Sequence, residues 1–190
     1  MHRDSGLVPP TPTQVLLRKR NALVRCANWK RLLVSLVLTA IFTLVLFGLV
    51  FGVGLVSGSS MNPLFQNKDI VLYTRAGNFS RYDVVILQAD GTLIHKYVKR
   101  VIGVPGDVVN IDENGISING EFLEESYTAG LTQANGAGQY PMTLEEGEYF
   151  VLGDNRESSR DSRNFGAIKD NQIEGKVIAV LRIDSKNGRR

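Results

Sequence analysis

Cysteine and histidine are nearly missing from this chain of 190 residues, which has one Cys and two His. The lone Cys26 excludes an internal disulfide, so whatever folds must be held by packing alone. With His2 and His95 as the only imidazoles and no carboxylate spacing that suits a ligand set, metal chemistry has little support and no cofactor is expected. Charge is also missing over a long stretch: none occurs between Arg31 and Lys68. Acid is scarce before that stretch. Residues 1–31 carry seven Lys or Arg against Asp4 alone, a net of +6, whereas residues 57–190 carry a net of −3. The basic balance therefore describes the tail, and a nucleic-acid surface is not expected.

Within the uncharged stretch lies an apolar run of 25 residues, Leu32 to Val56. As a helix it would measure about 37 Å, against a hydrocarbon core of about 30 Å. A transmembrane helix over 32–56 is predicted, with Gly48, Gly52, Gly54 and Gly58 loosening its exit end. A cleaved signal peptide would have an apolar core of only about 7–15 residues and a much shorter positive flank, which favours a retained anchor. The positive flank places residues 1–31 in the cytoplasm as a basic tail and the remainder outside a single-pass cell membrane. Residues 1–14, with three prolines, read as disordered.

The outer segment, 57–184, is long enough for one core and reads as mainly β. Alternating or β-branched runs occur at Ile70–Tyr73, Val84–Leu87, Leu93–Ile102, Val108–Ile111, Tyr149–Leu152 and Val177–Ile183. Asn119-Gly120 suits a hairpin and Val104-Pro105-Gly106-Asp107 a type II turn. No helical period follows Val56. Residues 124–147 are polar and read as an exposed excursion, and 185–190 as a frayed tail.

Gly58-Ser59-Ser60-Met61-Asn62 follows the apolar run at once, which puts a candidate serine nucleophile at a membrane surface. A serine needs a base. His95 is the only outer histidine, and the alternative is a lysine whose ammonium is disfavoured by burial. Lys99 lies in the apolar stretch Leu93–Ile102 and would share a strand face with Tyr97 and Val101. Each feature alone has an ordinary explanation: a helix-to-domain linker for Gly-Ser-Ser, a solvated strand face for Lys99, a polar turn for Gly153-Asp154-Asn155-Arg156.

Four ordered blocks change that balance. They are Ser59-Ser60-Met61-Asn62-Pro63, Arg81-Tyr82-Asp83-Val84-Val85, Lys99-Arg100-Val101-Ile102-Gly103-Val104-Pro105-Gly106-Asp107, and Gly153 through Arg163. With the anchor before them, the chain over residues 30–183 resembles a bacterial type I signal peptidase (leader peptidase), a membrane-bound Ser-Lys protease family. The resemblance implies a β-rich catalytic domain with a small inserted cap at about 108–147. It makes Ser60 the nucleophile and Lys99 the general base, with hydrolysis through an acyl-enzyme. Ser159 would orient the lysine, and Asp161 with Arg163 would brace the site. Asp83, Arg100 and Asp154 would support the fold around it. The oxyanion would be met by the Ser60 backbone N–H and at the position of Gly58, where some relatives have a serine hydroxyl and others glycine. Val56, Met61 and Val98 would line a shallow pocket for small side chains at the first and third positions before the cut, an Ala-x-Ala site. The partners implied are signal peptides of exported preproteins, membrane phospholipid and the secretion translocon.

Where the family commonly continues Thr-Leu after the proline, this chain has Leu64-Phe65, which bears on substrate preference. A Ser-His variant would use His95, but the wording around Lys99 favours the lysine. A dedicated pilin- or substrate-specific processing peptidase and a catalytically silent, membrane-tethered peptide-binding module remain the alternative readings.

Overall fold

The computed structural model describes residues 12–88, 96–128, 130–134 and 138–182. The expectations for residues 1–11, for His95, for Asn135 to Ala137 and for the tail 185–190 lie outside them. The chain divides into two units, residues 1–48 and 49–190.

The first unit is one helix, α1 (Pro12–Val50), whose stretch Asn28–Val50 is long and apolar enough to cross a membrane. Its apolar side chains from Leu32 to Leu49 are exposed, so no protein neighbour explains their composition. The predicted helix over 32–56 is corrected at its end. Phe51–Leu55 is a strand, β1. Gly52 and Gly54 weaken the helix there, while pairing with β2 (Ile70–Thr74) gives one edge of the backbone partners along its length, from Phe51 opposite Thr74 to Leu55 opposite Ile70.

The second unit is mainly β. Its strands are β1, β2, β3 (Val84–Leu87), β4 (Tyr97–Gly103), β5 (Val108–Asp112), β6 (Gly115–Ile118), β7 (Glu121–Phe122), β8 (Met142–Thr143), β9 (Glu148–Leu152), β10 (Ile168–Lys169) and β11 (Ile173–Leu181). Seven form one antiparallel sheet in the order β1-β2-β11-β3-β4-β9-β10, and four form a second in the order β7-β6-β5-β8. The second sheet comes from the stretch between the lysine block and Gly153, and strands occupy its first half while the described residues at 123–128, 130–134 and 138–141 are irregular. Ile102, Phe150 and Leu152 from the large sheet pack with Val109, Ile111, Ile116 and Ile118 from the small one, which joins the two sheets through one buried cluster.

The two turns take the predicted forms. Asn119 and Gly120 both have positive φ, as a tight hairpin between β6 and β7 requires, and Asp107 N–H donates to the Val104 carbonyl at 3.1 Å with Gly106 at φ +87°. One short helix, α2 (Ser162–Phe165), breaks the expectation of no helix after Val56. It is a single turn, too short to show a period, and is held by a cap: Arg163 N–H donates to Asp161 Oδ1 at 3.3 Å and Asp161 N–H to Asn164 Oδ1 at 3.2 Å. Strand β11 begins four residues earlier than expected. Ile173-Glu174-Gly175-Lys176 lacks alternation, and its register against β3 shifts between Ile173 and Gly175.

Candidate functional site

Ser60 lies in a turn just after β1. Val56 N–H donates to the Asp69 carbonyl and Lys68 N–H to the Val56 carbonyl, both at 2.8 Å, which ties the chain leaving β1 to the start of β2. Asn62 N–H then donates to the Ser59 carbonyl at 3.0 Å and Phe65 N–H to the Met61 carbonyl at 2.9 Å, closing a compact loop around the serine. From the other side, Asn155 holds it with two bonds: its N–H to the Ser60 carbonyl at 3.0 Å and its side-chain amide to the Ser59 carbonyl at 3.2 Å. Blocks almost a hundred residues apart in sequence thus meet at one serine.

Lys99 is the third residue of β4, opposite Val85 of β3. Its side chain is 1% exposed, and Nζ donates to Ser60 Oγ at 2.7 Å. The Tyr97 ring lies 5.7 Å from Nζ. Burial disfavours the ammonium and pulls the lysine down to about 8; Asp161 and Asp154 oppose that shift, while Arg163 adds to it. The two residues singled out from sequence as a serine and a lysine 39 positions apart are in direct contact.

Around them is a frame of buried ion pairs. Arg163 reaches Asp161 through Nε at 2.8 Å and Nη2 at 2.9 Å, and Asp161 Oδ2 also accepts from Gly153 N–H at 3.1 Å. Arg100 reaches Asp154 through Nε at 2.8 Å and Nη2 at 2.6 Å, with its guanidinium 4.5 Å from the Tyr127 ring centre. Asp83 stands further off, where it pairs with Lys176 at 2.8 Å and accepts from Ser80 N–H at 2.9 Å in the turn before β3. The sequence reading missed a fourth member. Arg156, fully buried, donates to Glu125 Oε2 at 2.8 Å and to Thr132, and so fastens the chain at those two residues to the Gly-Asp-Asn-Arg block. Its position in the quoted motif was visible, but its partner, 31 residues upstream, had no pattern to mark it.

Ser159 Oγ is buried without a hydrogen-bond partner, so the contact expected with Lys99 is not made. Gly58 has φ +95° and open space where a Cβ would stand, while its N–H donates to Asn67 Oδ1 at 3.2 Å. A serine side chain would fit sterically at 58 but only in a backbone conformation that favours glycine. The glycine is thus suited to this turn.

Gly153 is required by close approach. A Cβ there would stand 2.2 Å from Ser159 Oγ and 2.5 Å from the Ser60 carbonyl oxygen. Gly153→Ala is expected to lower stability by about 1–3 kcal/mol, read as a fall in thermal midpoint, because the clash partner at 60 is backbone and cannot rotate away.

A pocket of about 90 Å³ opens beside Ser60 and Lys99. Val56, Met61 and Val98, the three residues expected to line it, all do, together with Gly54, Tyr73 and Ile86. Phe65 is not among the lining; it is buried with Val56 and Met61 in the cluster behind, and Leu64 is exposed. Among the described residues, no group of three or more His, Cys, Asp or Glu is placed to hold a metal ion.

Comparison with known proteins adds the decisive observation: the family described as signal peptidase, peptidase S26, matches residues 29–182. The chain belongs to that family. Signal peptidase I of Bacillus amyloliquefaciens is 35% identical over 181 residues, 87% of this chain and 89% of its own. Signal peptidase I of Bacillus caldolyticus is 38% identical over 150 residues, 71% of this chain and 80% of its own. Among solved structures, signal peptidase I of Enterococcus faecalis V583 is 31% identical, with a TM-score of 0.43 and coverage of 54% of this chain and 98% of its own. The family match takes in the serine loop, β4 and the Gly153 block, the segments that meet at the site, together with the end of α1 before them.

Proposed function

We propose that this chain removes N-terminal signal peptides from exported preproteins at the outer face of the cell membrane, with Ser60 as nucleophile and Lys99 as general base. The observation that carries the reading is the 2.7 Å contact between Ser60 Oγ and a Lys99 amine buried to 1% exposure. Neutral Lys99 takes the hydroxyl proton as Oγ attacks the scissile carbonyl, and the leaving amine departs with that proton. The amine then activates a water that hydrolyses the Ser60 ester. The Ser60 N–H serves as an oxyanion donor. Asp161 and Arg163 hold the Gly153 turn against the serine loop.

The pocket supports a preference for small side chains before the cut, since it is narrow and walled by Val56, Met61, Val98, Tyr73 and Ile86. An extended peptide also has backbone to pair with. The edge of β1 away from β2 carries no strand among the described residues, and β9 pairs with β4 only from Arg100 onward, leaving Tyr97 to Lys99 without a strand on that side. Contact with phospholipid is supported by an apolar face of the β unit: Val53 and Leu55 of β1 and Leu181 of β11 are exposed. The basic residues before α1 support an N-terminus in the cytoplasm.

The pH dependence follows from the lysine. Only the neutral amine accepts a proton, so kcat/KM is expected to rise about tenfold per pH unit below about 8 and level off above it. A pH–rate profile of the full chain checks this, and a flat profile between pH 6 and 9 would remove Lys99 from the role.

The reading is tested with the full chain in phospholipid-containing micelles and a panel of preproteins that share an Ala-x-Ala site and differ in mature sequence, with the cut read by mass. Cleavage across the panel is expected. Cleavage of a single member would favour a dedicated processing enzyme, and an uncut panel with peptides still bound would favour a silent binding module.

A further inference from the structure

The far wall of the pocket is made by Tyr73, and it is held by a network that no step of the proposed chemistry uses. The tyrosine is 2% exposed, and its hydroxyl donates to Glu174 Oε1 at 2.5 Å. Glu174 Oε2 is paired with Lys96 Nζ at 2.6 Å, and Arg75 Nη2 donates to the Tyr73 hydroxyl at 3.3 Å. Lys96 and Tyr73 both line the pocket, so one end of the network stands at its rim and the other in its wall.

The strands beside Tyr73 are cut back to admit the ring. Gly52, its partner across from β1, lies so close that a Cβ there would stand 2.2 Å from Tyr73 Cζ. Gly175 on β11 would put a Cβ 2.8 Å from Tyr73 Cδ2. A ring fitted between two glycines and fastened at its tip has little freedom to swing aside when a larger ligand enters. An aliphatic residue at 73 would leave the pocket deeper.

We propose that Tyr73, fastened by Glu174 and Lys96, is the gauge that limits the side chain accepted before the cut. This rests on the signal-peptide reading and adds to it a specificity-determining residue outside the Ser60–Lys99 pair. The gauge acts by exclusion: a branched or longer side chain would overlap a ring that cannot move without breaking its part-buried hydrogen bond to Glu174, whose carboxylate Lys96 holds in place.

The test uses preproteins identical except for Ala, Val or Leu at the third position before the cut, and a matched set varied at the first position. The readout is the ratio of kcat/KM for Val or Leu over Ala, in which the fraction of folded enzyme cancels. In the full chain the ratio is expected to be far below one. In Tyr73→Ala and in the better-packed Tyr73→Leu it is expected to rise about tenfold or more at one of the two positions. Glu174→Gln, which keeps an acceptor but drops the charge, is expected to raise it by less. Ratios within twofold of the unaltered chain in both Tyr73→Leu and Glu174→Gln would overturn the gauge while leaving the peptidase reading intact. An unaltered chain that cuts Val and Ala sites equally would do the same. An unaltered chain that cuts no Ala-x-Ala substrate would overturn both.

Discussion

Lys99→Met is expected to lower preprotein cleavage by about 10⁴-fold or more while leaving the chain folded. The loss follows from chemistry: a thioether cannot take the Ser60 proton. The preserved fold follows from burial. Lys99 is an amine at 1% exposure, held between strands, and burial is the largest influence on its protonation. Its ammonium is disfavoured in the folded chain relative to the unfolded one, so between about 8 and the ordinary 10.5 the unfolded chain binds more protons and stability rises with pH. Below that window the charge burdens the fold in full. Methionine removes the burden and fills similar volume, at the expense of the bond to Ser60 Oγ. The thermal midpoint of Lys99→Met at pH 7 is therefore expected to be higher than that of the unaltered chain, a gain of about 2 kcal/mol. A variant that is both inactive and stabilised would identify a lysine kept for chemistry. A marked fall in the midpoint would instead identify one kept for structure.

Asp161→Ala is expected to have the largest effect on stability, a loss of about 3–5 kcal/mol. It leaves the Arg163 guanidinium, 1% exposed, without its bidentate partner, and it deprives the Gly153 N–H of its acceptor. A second effect separates electrostatics from packing. Asp161 favours the Lys99 ammonium and Arg163 disfavours it. In Asp161→Asn, which keeps the shape and drops the charge, only Asp154 still opposes burial and the arginine, and the lysine moves below about 8. The rising limb of the pH–rate profile is then expected to shift to lower pH, with chemical denaturation reporting the loss of stability on the same sample. An unshifted limb would mean that the pair does not act on the lysine.

Most strands were legible in the sequence because alternation and β-branching mark them over four or more residues; Val84–Leu87 is found as read, and Ile70, Val108 and Tyr149 fall at or one residue from the start of their strands. The end of α1 was not legible. An apolar run looks the same to the end of a membrane helix and to an edge strand, and only pairing with β2 decides between them. The start of β11 was hidden for the opposite reason, since Glu174 and Gly175 belong there through contacts with Tyr73 and not through a pattern of their own.

The site divides in the same way. Ser60 and Lys99 were readable because short blocks carry them, and the pocket residues Val56, Met61 and Val98 because they flank those blocks. Tyr73, Lys96, Glu125 and Glu174 were missed. Each acts through a partner at least 31 positions away, and no local period or motif records such a pairing. Ser159 was assigned a contact that the resting site does not make, which a motif alone cannot reveal.

The most direct test of the account is whether cleavage passes through an ester on Ser60. An Ala-x-Ala preprotein is mixed with excess full chain, quenched in acid at short times, and the intact enzyme is weighed. The expected result is a transient species heavier by the mass of the signal peptide less one water, with the added mass mapping to the Ser60 peptide and absent from Ser60→Ala, which leaves the preprotein uncut. Cleavage by Ser60→Ala at a rate near that of the unaltered chain would contradict it.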